Sequence, residues 1–151
     1  MVITEVVSAN SIVFATAQRA LDLGAEVLLT APDRDRGRAE QAAHALNGDV
    51  HTLDVNDPAG WDSLEGVIRD RWTNLDGALD AVAYAPADAL DADFFAARTD
   101  SLTIAFHTSA TSYAALAGLV GRLAPPPPLA PGSSASTSTP PARGPPTTGW
   151  A

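Results

Sequence analysis

The stretch from Met1 to Arg34 constrains the fold more than any other, because it places one amphipathic helix between two short apolar runs. The runs, Met1-Val2-Ile3-Thr4 and Val27-Leu28-Leu29-Thr30, are rich in strand formers and too short for helices. Between them Val13, Ala17, Ala20, Leu21 and Gly24 recur at spacings of three and four and share one face, while Gln18, Arg19 and Asp22 fall elsewhere. Ser8-Ala9-Asn10-Ser11 supplies turn and cap types, with Asn10 or Ser11 as the cap, and Gly24 is a stop signal. Strand, helix and strand in this order make a parallel pair joined by a crossover, which needs helices on the faces of the sheet. In such folds the first helix starts where an anionic ligand binds, since its unpaired N–H groups point outward there.

The same alternation continues. Ala31-Pro32-Asp33-Arg34 closes the second strand, and Arg38 to Leu46 reads as a helix with Ala39, Ala42, Ala43 and Leu46 on one side. Asn47-Gly48-Asp49 is a turn, and Val50 to Val55 is a third strand. Asp57-Pro58 opens a helix that runs to about Trp72, with Trp61, Leu64, Val67 and Ile68 on its buried side. Leu79 to Tyr84 reads as a fourth strand, Asp88 to Asp93 as an acidic linker, and Phe94 to Leu123 as containing a long alanine-rich helix from Leu102 onward. The order β-α-β-α-β-α-β-α predicts an α/β, doubly wound parallel sheet over residues 1–123. From Ala124 to Ala151 the composition changes: nine of the twelve prolines lie there and no apolar face recurs. That segment is expected to be disordered or polyproline-like, because it has too little apolar surface to offset its ordering entropy.

Composition excludes several functions. A formal charge of −9 opposes a nucleic-acid surface or an anionic membrane partner. There is no cysteine for thiolate chemistry, and His44, His51 and His107 lack ligand spacing, so no metal site is expected. No apolar stretch is long enough to span a bilayer and no signal peptide is visible, so a cytoplasmic protein is expected. Asp54 with Asp57, and Asp91 with Asp93, read as solvated turn residues rather than paired acids. Arg34, Arg36 and Arg38 alternate with Asp33 and Asp35 as an exposed, salt-bridged helix start, although they offer charge to a phosphate. All nine basic residues are arginine, and the chain contains no lysine.

With these elements in place, the chain resembles the NADH-dependent enoyl-(acyl-carrier-protein) reductases of the short-chain dehydrogenase/reductase superfamily, most closely the actinobacterial type. The residues that carry the likeness are Ser11-Ile12, Gly24 to Thr30, Asp33-Arg34, Leu53-Asp54-Val55, Leu79-Asp80, and Ser109-Ala110 with Ser112-Tyr113-Ala114. The resemblance implies a Rossmann-like fold truncated after the fourth strand and its following helix, with NADH as cofactor. It implies that Ser11 and Ile12 hold the pyrophosphate, that Asp54 and Val55 meet the adenine, that Ala85 and Pro86 stand in the turn after the fourth strand, and that Thr108 lies near the nicotinamide. The family reduces trans-2-enoyl thioesters of acyl-carrier protein by hydride transfer and assembles as homotetramers.

Three departures bear on what this chain does. Glu5 stands where the family has glycine, and Ala85-Pro86-Ala87 replaces a Ser-Ile-Gly turn; both oppose dinucleotide binding. The family's tyrosine, followed seven positions later by lysine, has no counterpart: Asp91 and Val120 follow Tyr84 and Tyr113 at that distance, and Tyr113 is expected to pack rather than to donate a proton. The expectation is therefore a cofactor-binding half that is inactive alone. A rival reading is a non-catalytic interaction module with a degenerate cleft, whose tail residues Pro125 to Pro128 serve as a proline-rich ligand.

The tail has an origin consistent with the first reading. Reverse-translated one base out of frame, Ser134 to Trp150 accommodates Gly-Leu-Asp-Phe-Asp-Ala-Thr-Arg-Ala-Trp-Pro-Ala-Tyr-Asp-Trp-Met, which resembles the family's fifth strand and catalytic tyrosine segment. A frameshift is expected upstream. Reading the gene across Ala124 to Pro131 should show an alternative frame that continues into a tyrosine-and-lysine segment; its absence from both alternative frames would refute the frameshift.

Overall fold

The computed structural model describes residues 1–90 and 93–126, with the side chain of Phe94 excepted. Four parallel strands, β1 (Val2–Ile3), β2 (Leu28–Ala31), β3 (Asp49–Thr52) and β4 (Ala78–Leu79), form one sheet in the order β3-β2-β1-β4. The helices are α1 (Ile12–Asp22), α2 (Arg36–Ala45), α3 (Pro58–Arg71), α4 (Thr99–Phe106) and α5 (Ser112–Leu123). The expected alternation and doubly wound layering are present. The expected disorder of the tail falls, from residue 127 onward, outside the described residues, as do positions 91 and 92 of the acidic linker.

Alternation along the inner strands sends side chains to two separate cores. Val2 and Leu28 face one way, where Leu64 and Ile68 of α3 and Leu116, Leu119 and Leu123 of α5 cover them. Ile3 and Leu29 face the other way, onto Ala17 of α1 and Ala42 and Ala43 of α2. Small residues on α1 and α2 let those helices lie close to the sheet, and Phe14 joins the face expected from Val13, Ala20 and Leu21. Gly60 serves the opposite layer: a Cβ there would sit 3.1 Å from the Asp54 carbonyl oxygen, so glycine admits the start of α3 against the loop after β3. Glu65 then ties α3 to α5, accepting from Arg69 and from Arg122 at 2.8 Å, and these two guanidiniums hold its carboxyl below the usual range.

Local signals set the helix ends. Ser11, not Asn10, caps α1: its hydroxyl accepts from the Phe14 amide at 3.1 Å and donates to the Ser8 carbonyl at 2.8 Å. Gly24, at φ 85°, takes the left-handed turn that follows α1. Asp57 caps α3, accepting from the Ala59 amide, with Pro58 in the first turn as expected.

Four expectations need correction. The fourth strand was expected over Leu79 to Tyr84 but pairs only at Ala78–Leu79. Beyond Leu79 side chains replace the ladder: Thr4 Oγ1 donates to Asp80 Oδ1 and accepts from the Ala81 amide, both at 2.9 Å, while Ser109 Oγ bonds the Tyr84 amide and carbonyl. Likewise β3 ends at Thr52 instead of Val55, because Asp54 turns the chain by accepting from the Asn56 amide. The long helix is broken into α4 and α5 by a π-helical stretch, His107–Thr111, in which the Thr111 hydroxyl donates to the His107 carbonyl. Tyr113 does not pack as expected. It is 65 % exposed on α5, facing outward beside the open flank of β4.

Leu64 is fully buried and Ile12 is 87 % exposed. Leu64→Ala is expected to cost about 2–5 kcal/mol in urea-unfolding experiments, and Ile12→Ala within about 0.5 kcal/mol of zero. Equal effects of the two substitutions would contradict this assignment of the core.

Candidate functional site

A doubly wound sheet has one place where neighbouring strands lead their connections to opposite faces, and a crevice opens there beyond the carboxyl ends of the strands. In the order β3-β2-β1-β4 that place lies between β1 and β4. The chain leaving β1 carries Glu5, the chain leaving β2 carries Pro32 and Arg34, and the loop after β3 carries Asp54, Val55 and Asn56. With Val82 beyond β4 and Thr108 of the π-helical stretch, these residues line a cavity of about 20 Å³. It opens toward a groove of about 330 Å³ bounded by Arg34, Asn56, Tyr84, Ile104 and Thr108.

Of the residues expected to form the site, the fold brings Asp54, Val55 and Thr108 into this one lining. The Asp54 carboxylate accepts from the Asn56 amide at 2.9 Å, and the Val55 carbonyl accepts from the Trp61 indole at 3.0 Å, so the floor of the crevice is fixed by α3. Thr108 is buried, and its hydroxyl donates to Asn56 Oδ1 at 3.2 Å. Thr108 belongs to the π-helical stretch, which this bond ties to the loop after β3. Ser11 and Ile12 stand at the start of α1, outside that lining, and the Ser11 hydroxyl already makes both of its cap bonds. Ala85 and Pro86 lie in the loop after β4, half-buried, with the Pro86 carbonyl accepting from Ala89.

Two residues matter more than their sequence context suggests. Asn56 joins the elements: its Oδ1 accepts from Thr108 and lies 3.1 Å from His107 Nδ1, so it couples the loop after β3 to the π-helical stretch. Its only advance signal was its place directly after Leu53-Asp54-Val55. Arg34, read as part of an exposed ion-pair series, does pair with Asp35 at 3.5 Å, yet it also lines both the crevice and the groove. Arg36 and Arg38 follow the expected reading, paired with Glu40 and Asp35.

Glu5 shapes the electrostatics. Its backbone is left-handed at φ 56°, a region that disfavours residues with a Cβ. The side chain is half-buried. Burial pushes its carboxyl above the usual range, against the opposing pull of the Ala83 amide that donates to it and of Arg34 nearby; Asp35 and Asp80 add to the rise.

Tyr84 and Tyr113, the only tyrosines, are both exposed; Tyr84 borders the groove, and Tyr113 lines a separate cavity with Ala78 and Asp80. Among the described residues no group of three or more side chains could hold a metal ion. No helix among them is long and apolar enough to cross a membrane.

Comparison with known proteins bears on the family and the fold. A family model described as enoyl-(acyl carrier protein) reductase matches residues 6–139. The chain is 33 % identical over 120 residues to enoyl-(acyl-carrier-protein) reductase (NADH) FabI of Escherichia coli (strain K12), and 32 % to its counterpart in Haemophilus influenzae. These matches take in 78 % of the chain and 46 % of each relative, so the chain spans about half the length of the curated relatives it matches. Among solved structures, the enoyl-(acyl-carrier-protein) reductase of Anaplasma phagocytophilum in complex with NAD superposes with a TM-score of 0.75 at 25 % identity, over 81 % of this chain and 47 % of that one. The enzyme from Aquifex aeolicus gives the same TM-score at 23 % identity, over 82 % and 50 %, and shows the shared fold.

Proposed function

The chain belongs to the enoyl-(acyl carrier protein) reductase family, and from that premise we propose that it is the dinucleotide-binding half of such a reductase, binding NADH weakly and performing no reduction alone. The observation that supports this most is the convergence of Asp54, Val55 and Thr108, from separate elements, on the crevice at the strand-order switch. In this reading the adenosine end lies against Asp54 and Val55, beside Arg34 and Asn56, and the nicotinamide end passes Thr108. Ser11 and Ile12 present the start of α1 to the pyrophosphate, and Ala85 and Pro86 border its path.

The fit is uneven along the ligand. The adenosine end meets a floor made rigid by Asn56 and Trp61. The diphosphate, passing from the start of α1 toward the crevice, meets the Glu5 carboxylate, and Pro86 offers it no amide. When bound, the reduced nicotinamide would supply a hydride. This chain's own residues bind and orient, since it has no lysine to hold the nicotinamide ribose and no tyrosine in the lining of the crevice.

Titration of the full chain with NADH, followed by tryptophan fluorescence, tests this reading. Saturation in the range of about 0.1–1 mM is expected, with at least about tenfold weakening by Ser11→Trp. A signal that Ser11→Trp leaves unchanged would remove the start of α1 from the site.

A further inference from the structure

We propose that Glu5 is an internal plug of this crevice, its carboxylate standing where a ligand's anionic group would sit, so that the cleft as folded selects against pyrophosphate-bridged ligands. The inference rests on the dinucleotide reading above and adds the residue that sets its specificity.

Three observations converge on Glu5. Its backbone adopts φ 56°, the left-handed region in which a glycine is at ease and a side chain is strained. The side chain is half-buried and lines the crevice at the ends of the strands. Third, among the described residues Arg34 is the one cation in the lining, which it shares with Glu5. An incoming diphosphate would therefore compete with Glu5 for the Arg34 guanidinium, and would meet the like charges of Glu5 and Asp54 in a narrow space. A neutral group at the same place meets none of this repulsion.

The charge and the bulk of the plug can be removed separately. Glu5→Gly removes both and suits the left-handed backbone, whereas Glu5→Gln keeps the bulk and removes the charge. NADH titrations of the full chain should give a dissociation constant at least about tenfold lower for Glu5→Gly than for the unsubstituted chain, with Glu5→Gln between them. Thermal melts provide the folding control, and Glu5→Gly is expected to melt at or above the temperature of the unsubstituted chain. Saturation by Glu5→Gly alone counts as the full expected gain. Equal affinities, with both chains saturating, would overturn the plug and leave the cleft reading standing. Saturation by neither chain would overturn both.

Discussion

The structure depends on the pairing of β1 between β2 and β4. Val2 and Ile3 are fully buried, and their neighbours in register are Leu28 and Leu29 on one side and Ala78 and Leu79 on the other. A two-residue strand has few ladder bonds of its own, so its position is secured by what leans on it from both faces. Leu64 of α3 and Leu119 of α5 cover the Val2 side, and Ala17 of α1 covers the Ile3 side. Because β1 is central and parallel to both neighbours, its carboxyl end must open into the place where the strand order reverses. The residue that leaves that end is Glu5, so the constraint that organises the fold also decides what the crevice presents to a ligand.

Much of this was legible in the chain itself. The apolar periods of Ala39, Ala42 and Ala43, and of Trp61, Leu64 and Ile68, are local properties, and the helix faces they indicate are the buried ones. Strand ends were less legible, since they depend on partners far away in sequence. Leu79 to Tyr84 has the composition of a strand, yet the ladder stops at Leu79 because Thr4, seventy-five residues away, and Ser109 bond the backbone that a longer ladder would have used. Tyr113 sits at core spacing, but β4 is the last strand of the sheet on that side and no further element among the described residues covers it. The π-helical stretch, which carries the buried Thr108, left no periodic signal either.

The site shows the same division. Asp54, Val55 and Thr108, expected from the family resemblance, share one lining, while Asn56, which joins two of those elements, is visible only through its contacts with His107 and Thr108. The parts that would act on an acyl substrate are a different matter. Hydride transfer to an enoyl thioester leaves an enolate that needs a proton donor and a cation near the nicotinamide ribose, and the chain has no lysine and no tyrosine in the crevice lining. In the proposed function, binding floor and reaction centre are therefore separate.

That separation can be tested in one cuvette. With NADH and a short trans-2-enoyl thioester, the full chain is predicted to leave the absorbance of the reduced nicotinamide falling no faster than in protein-free buffer, even at NADH concentrations that saturate its fluorescence. Saturable oxidation of NADH that depends on the thioester and scales with the amount of chain would contradict the account.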